Sequence, residues 1–354
     1  MVGAFWLSAL FGLACVQQEA NLPASGNQEP KGEASVLSAY EESQVHMATL
    51  VRLRFYAAGD AAARTASEAV FGRIKVLNEI LSDYSETSEL SRLCQKAGTG
   101  PTKAGPELYR VLDRSLYWFR ESEGRFDVTL APLIRQWRRA RKTKKLPTAE
   151  QIAALRPMCG SENMTLDPGA RTVTLAKKGM LLDLGGIAKG YVGDECGRTF
   201  HKHGVTRYLI AIGGDLVIGD SPPEKPEGWE VTIADPDQNP NGAITFLAAR
   251  CGVSTSGDAA QSSMIGGARY SHILDPATGI GMTARRQTTV VAPLGIDADA
   301  LDTSATILGP EKGIALSERH PEVAMRMLTL DEKGAWKESV SSGWKKLKVV
   351  AKGR

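Results

Sequence analysis

The chain has 354 residues, 42% of them apolar, and a formal net charge of +3. That length holds one large domain or two ordinary ones with a sizeable core, and so small a charge gives no footing for nucleic acid. No run of about 18 apolar residues occurs beyond the extreme N-terminus, which excludes an internal transmembrane helix. The cysteines, Cys15, Cys94, Cys159, Cys196 and Cys251, form no CxxC pair and no disulfide framework, so neither a zinc site nor a stapled scaffold is indicated.

In chain order, Ala4 to Val16 is a short apolar run of signal-segment length, without a basic stretch before it. Ala14-Cys15 resembles the end of a bacterial lipoprotein signal, with Gly12 where leucine is usual. The expected division is a signal peptide or lipoprotein anchor over 1–20, a Pro, Gly, Asn, Gln and Glu-rich linker over 21–36, and one globular domain over 37–354. His46 to Tyr56 alternates like a strand, and Ala61 to Leu81 has helical spacing. Ser88 is placed to cap a helix, and Pro106 opens an amphipathic helix that runs to about Glu121. Gly124 to Thr129 breaks that helix, and the basic stretch Arg138 to Lys145 reads as a solvated helix end or loop.

Gly179 to Leu184 is strand-like, then a glycine pair, Gly185-Gly186, leads into a helical pattern through about Phe200. Glycines at such a joint let the backbone approach a ligand, and the first amides of a helix suit a phosphate. Lys189 adds a full charge there; the competing reading is a turn that only packs, with Lys189 solvated. Strands follow at Arg207 to Ile212, Leu216 to Ile218, Trp229 to Ala234, Ile244 to Ala249 and Gln287 to Ala292, with Gly213-Gly214-Asp215 as a turn. Tyr270 to Gly279 is a strand entering a Pro/Gly turn, and helices cover Asp297 to Leu308 and Pro310 to about His320. Strands and helices do not alternate regularly, so the fold class is α+β, with antiparallel sheets and packed helices.

Asp299 and Thr303 are four apart on a helix and share a face, while Asp302 points away from Thr303 by about a hundred degrees. Their oxygens are hard ligands that suit Mg²⁺; acids near a helix start that answer its dipole are the competing reading. His272, before Asp275-Pro276, has the chemistry of a general base or phosphate contact, or of a hydrogen-bonded strand end. Ser254-Thr255-Ser256 lacks a Gly-x-Ser-x-Gly elbow and no GxGxxG opens a βαβ unit, which excludes a serine hydrolase and a Rossmann dehydrogenase.

The ordered blocks His46-Met47-Ala48-Thr49, Tyr84 with Ser88-Glu89-Leu90-Ser91, Gly124 to Thr129, Asp183 to Gly190, Gly213-Gly214-Asp215, His272 to Pro276 with Thr278-Gly279, and Ala298 to Leu301 with Thr303 resemble the ApbE family, the FAD:protein FMN transferases. The resemblance spans about Val45 to Arg354 and departs from the family at Ala48, Cys94 and Ala277. It implies a T-fold-like α+β domain, and Mg²⁺-dependent transfer of FMN from FAD to a threonine or serine hydroxyl of another protein, releasing AMP. By the same resemblance Met47, Tyr84, Arg125, Phe126 and Asp127 hold the flavin and its chain, Asp183 and Lys189 contact FAD, and His272 and Ile273 line the cleft. The metal falls to the Gly186 carbonyl, Asp299 and Thr303, with Asp302 as helper, and the base to His272, Asp299 or Asp302. Implied acceptors are subunits of sodium-pumping quinone reductases, Rnf-type complexes or FMN-binding-domain proteins. The place implied is the periplasmic side of a bacterial inner membrane, with a lipid anchor at Cys15. A Mg²⁺-dependent FAD pyrophosphatase and a flavin-binding lipoprotein without chemistry are the alternatives.

Overall fold

Period-two alternation builds the largest sheet. In a computed structural model that describes residues 37–352, apart from 238, 240, 241 and 258–260, this sheet has eight strands. Their spatial order is Ser38–His46, Thr49–Ala57, Tyr208–Ile212, Asp215–Ile218, Cys251–Gly257, Arg286–Ala292, Ala324–Leu330 and Trp336–Val340. Every neighbouring pair is antiparallel. The expectations for the signal, linker and Cys15 lie outside the described residues. Among the described residues no helix is long and apolar enough to cross a membrane.

The two faces of the sheet separate by parity. Val51, Leu53, Ile210, Ile212, Val217, Val290 and Ala292 face the helices Asp60–Leu81, Ala188–Lys202 and Gly295–Leu308. Ile218, Val253 and Val291 face the other way, onto a three-stranded sheet of Trp229–Ile233, Ile244–Ala248 and Val349–Lys352. By the same alternation Asp215 lies on the helix side with Val217, and Ser254 lies opposite to Val253. Two polar side chains are thereby carried into the layer between sheet and helices.

A smaller third core joins the helix Ala131–Thr143 to the hairpin Ala268–Ser271 with Ser262–Ile265 and to the short pair Leu274–Asp275 with Ile280–Gly281. Trp137 anchors it, fully buried, with its indole N–H donated to the Ser271 carbonyl at 3.1 Å.

The α+β class stands, and Pro106–Glu121 has the expected bounds. The cap of Glu89–Gln95 is Ser88, which accepts from the Ser91 amide at 3.0 Å. Three local expectations change. The strand expected from His46 to Tyr56 is instead the turn and second arm of a hairpin. Met47 and Ala48 both take positive φ, 50° and 56°, and His46 pairs with Thr49 across them. The first arm is an edge strand with little burial, so it lacks the apolar alternation that marks a strand. Gly179 lies in a turn at φ 86°, and Met180 to Leu184 joins no sheet; the Asp183 N–H bonds to the Val128 carbonyl at 2.8 Å and no ladder continues from it. The segment from Tyr270 to Gly279 is broken after Ser271, where the chain crosses to the Leu274–Asp275 pair.

Candidate active site

Two helices that carry chemistry meet at glycines. A Cβ built on Gly190 would lie 2.1 Å from the Gly295 carbonyl oxygen, so only hydrogen fits there. This close crossing brings the start of Ala188–Lys202 against the first turns of Gly295–Leu308. Asp194, from the first helix, accepts the Gly295 amide at 2.7 Å and the Ile296 amide at 3.0 Å. Those amides have no partner within their own helix, so the carboxylate caps it from outside. Burial raises the Asp194 pKa to about 6 against the pull of these two amides.

Asp299, Asp302 and Thr303 project from one side of the capped helix, because spacings of three and four bracket the helical repeat. Asp302 therefore sits with the other two rather than away from them. Its carboxylate accepts from Ser254 Oγ at 2.6 Å and from Thr303 Oγ1 at 3.1 Å. Asp299 accepts the Gly190 amide at 3.0 Å. Lys189 Nζ is bonded to Asp215 and lies 3.9 Å from Asp299, and Ser254 Oγ also bonds to Asp215. At the glycine corner, a Cβ on Gly186 would stand 3.2 Å from Thr303 Oγ1 and 3.4 Å from Phe126 Cε2. The glycine corner and the acid-bearing helix are thus in contact.

The helix-end amides expected to meet a phosphate are occupied. Ala188 N–H goes to the Leu184 carbonyl at 2.9 Å, and Lys189 and Gly190 donate to Asp299. The positive end of the helix therefore serves an internal carboxylate. Lys189 is likewise engaged with Asp215 rather than solvated.

Asp215, Asp299 and Asp302 are 4%, 3% and 2% exposed, and Lys189 is the cation among them. Burial and the Asp215 charge push Asp299 up to about 7, against the pull of Lys189. Burial, Asp299 and Asp215 push Asp302 up as well. Burial alone would lower Lys189, but Asp215 and Asp299 overcome it and hold the ammonium charged. Carboxylates confined with one ammonium leave an excess of negative charge and of hard oxygen donors. A divalent cation such as Mg²⁺ fits that excess. Among the described residues no three His, Cys, Asp or Glu side chains are arranged to hold an ion by themselves. Beside Asp299 and Asp302 stand the Thr303 hydroxyl and the Gly186 corner, oxygen donors of the kind a Mg²⁺ ion takes when few carboxylates are offered.

The remaining expected residues lie at the glycine corner, along the Gly124–Thr129 segment, at the Met47 turn and at the end of the Ser271 strand. Asp183 is buried at the corner, accepting the Gly185 amide at 2.8 Å and an Arg138 nitrogen at 2.6 Å. Arg138 also reaches Asp83 at 2.7 Å and lies 4.8 Å from the ring centroid of Tyr84, whose side chain is largely exposed. Arg138 is thus paired, contrary to the expected solvated end, while Arg139, Lys142, Lys144 and Lys145 are exposed as expected. Phe126 is buried, Arg125 is half-buried, and Met47 packs on the main core from its turn. Asp127 turns inward, accepting from Thr129 N, Thr129 Oγ1 and Ser161 Oγ at 2.8, 2.6 and 2.7 Å, and so caps its own turn. His272 and Ile273 follow the strand held by Trp137; His272 Nδ1 is 3.2 Å from the Gln261 carbonyl oxygen, and Ile273 is buried.

A sequence model of the ApbE family matches residues 47–327. The chain belongs to the ApbE family. The FAD:protein FMN transferase of Treponema pallidum is 32% identical over 301 residues, covering 80% of this chain and 83% of that protein. Among solved structures, a variant of the flavin transferase ApbE from Vibrio cholerae superposes with a TM-score of 0.79 at 27% identity, covering 87% of this chain and 99% of the other. The apo flavinyl transferase ApbE of Pseudomonas stutzeri gives 0.78 at 26% identity, covering 88% and 97%.

Within this ApbE fold, sequence reasoning missed Asp215, Ser254 and Arg138. Asp215 was visible only as the end of a glycine turn, and Ser254 only as a nucleophile to be excluded. Strand parity pairs Asp215 with Val217 and sets Ser254 opposite Val253, but only the packing of the layers shows that this face receives the helices. Arg138 stood in a basic run, and its partners lie 45 and 55 residues away.

Proposed function

We propose that this chain is a Mg²⁺-dependent FAD:protein FMN transferase that moves FMN from FAD to a threonine or serine hydroxyl of an acceptor protein and releases AMP. The observation that carries the reading is the convergence of the Gly186 corner with Asp299, Asp302 and Thr303 around an acidic centre. Gly186, Asp299, Thr303 and Asp302 would hold the metal. Bound there, Mg²⁺ would neutralise the pyrophosphate and polarise phosphorus.

In the step itself, the acceptor oxygen forms a bond to the phosphorus of the FMN half, and the bond to the AMP phosphate breaks. The hydroxyl proton leaves as the bond forms, and His272 is the base we assign. The contact of its Nδ1 with the Gln261 carbonyl oxygen at 3.2 Å holds the imidazole at the end of the strand. Asp299 and Asp302 are kept for the metal. Lys189 holds Asp215 and offsets charge beside the corner. Tyr84, Phe126, Met47 and Arg125 would receive the flavin, and Asp183 the chain that leads to the pyrophosphate.

Export to the periplasmic side with a lipid anchor at Cys15 belongs to the same proposal, supported by the Ala4–Val16 run. So does an acceptor drawn from quinone reductase, Rnf-type or FMN-binding-domain proteins. Incubation with FAD and Mg²⁺, with and without an FMN-binding acceptor domain, tests the activity. The expected result is an acceptor heavier by one FMN moiety, with AMP released in step. Free FMN and AMP at an equal rate without acceptor would make the chain a pyrophosphatase, and intact FAD would make it a binding protein.

A further inference from the structure

We propose that Arg138 is a positioning residue of the FAD cleft, a single guanidinium that sets Asp183 and Tyr84 in place for the substrate. This rests on the reading that both residues contact FAD.

Arg138 sits on Ala131–Thr143 and is one-third exposed. One nitrogen meets Asp183 at 2.6 Å and another meets Asp83 at 2.7 Å, while the guanidinium carbon lies over the Tyr84 ring, 4.8 Å from its centroid. Asp83 and Tyr84 are adjacent in a turn, and Asp183 belongs to the glycine corner about a hundred residues later. The guanidinium therefore ties the turn to the corner. Tyr84 is 78% exposed, so packing does little to fix its ring. The planar fork is what serves three partners at once: a lysine presents a point charge and has no face to stack.

The helix itself is held in register. Trp137, next to Arg138, is locked beneath the strand that leads to His272 by its bond to the Ser271 carbonyl. One helix turn thus relates the His272 side of the cleft to the Tyr84 and Asp183 side. The position was legible only as part of a basic run, and the structure gives it a specific task.

The test measures FAD affinity and turnover for Arg138→Gln, Arg138→Lys, Asp183→Asn, Tyr84→Ala and the Arg138→Gln/Asp183→Asn pair, with thermal melts for each. Positioning predicts that Arg138→Gln raises the KM for FAD by about tenfold, near the effect of one charge-assisted bond, with kcat within about twofold. Arg138→Lys falls between Gln and wild type, and it decides the matter if the Gln variant does not fold. The double variant loses less FAD affinity than the product of the two single losses, because both changes break the Arg138–Asp183 link. If Asp183→Asn and Tyr84→Ala weaken FAD while Arg138→Gln and Arg138→Lys do not, the positioning role is refuted and the contact reading survives. If neither Asp183→Asn nor Tyr84→Ala changes FAD binding, the contact reading fails and the proposal fails with it.

Discussion

Gly190→Ala tests whether the helix crossing builds the active centre. The new Cβ would lie 2.1 Å from the Gly295 oxygen, 2.4 Å from its carbon and 2.8 Å from the Ile296 nitrogen. All three are backbone atoms, so no side chain can swing aside, and relief requires the helices to part by about 1 Å to reach ordinary contact. Overpacking of that kind costs about 1–3 kcal/mol. Separation also stretches the buried bonds from Asp194 to Gly295 and Ile296 and from Gly190 to Asp299, at about 1 kcal/mol each when strained. The total is about 4–6 kcal/mol, a melting point lower by about 6–9 °C for a domain of this size. Displacing Asp299 by about 1 Å should slow FMN transfer by about a hundredfold even well below the melting point. Gly72→Ala is the control: its site is exposed within Asp60–Leu81 with nothing within 4 Å, so alanine should leave transfer unchanged and stabilise by up to about 1 kcal/mol. A Gly190→Ala protein that melts and turns over like wild type would show that the crossing does not determine the site.

Asp299→Asn keeps an oxygen for the Gly190 amide but removes a charge; transfer should fall by at least about a hundredfold. Wild type should melt higher when Mg²⁺ is added and the Asn variant should not, as differential scanning fluorimetry reads directly. Lys189→Ala removes the cation from the acidic centre, so the variant should melt lower than wild type in chelator and recover more on adding Mg²⁺; equal melting in chelator would refute the charge balance described. The Asp194 pKa, raised to about 6 in the folded chain against about 4 unfolded, means the native state binds the extra proton between those values. Its stabilising contribution is therefore complete below about pH 4 and is lost as pH rises through about 6. Urea titrations of wild type and Asp194→Asn over that window should diverge by about 2–3 kcal/mol, and parallel curves would exclude Asp194 as the titrating group.

Much of the architecture could be read from residue order because local chemistry and tertiary packing agree there. The helix from Pro106 begins at an N1 proline and buries Leu108, Val111, Leu112 and Leu116 on one stripe. The Gly213-Gly214 turn closes a hairpin with Ile212 opposite Asp215, and Gly213 supplies the positive φ, 63°, at its first position. Asp299 and Thr303 were placed by helical spacing alone. What stayed hidden depends on layers rather than on neighbours in sequence. Which face of the Cys251–Gly257 strand meets the helices decides whether Ser254 is a surface hydroxyl or part of the acidic centre, and parity in one strand cannot state that. The occupation of the Gly190 amide by Asp299 is a contact across 109 residues, invisible to a motif. The turn at Met47 and Ala48 was missed because neither residue advertises positive φ.

That turn has a further consequence. Two non-glycine residues in left-handed backbone each hold about 1 kcal/mol of conformational strain, at a bend where Asn-Gly would hold almost none. Replacing Met47-Ala48 by Asn-Gly should therefore give a hardier protein. Because Met47 packs on the main core and is among the residues proposed to receive the flavin, the same exchange should make it a poorer enzyme. At this bend robustness and catalysis pull in opposite directions.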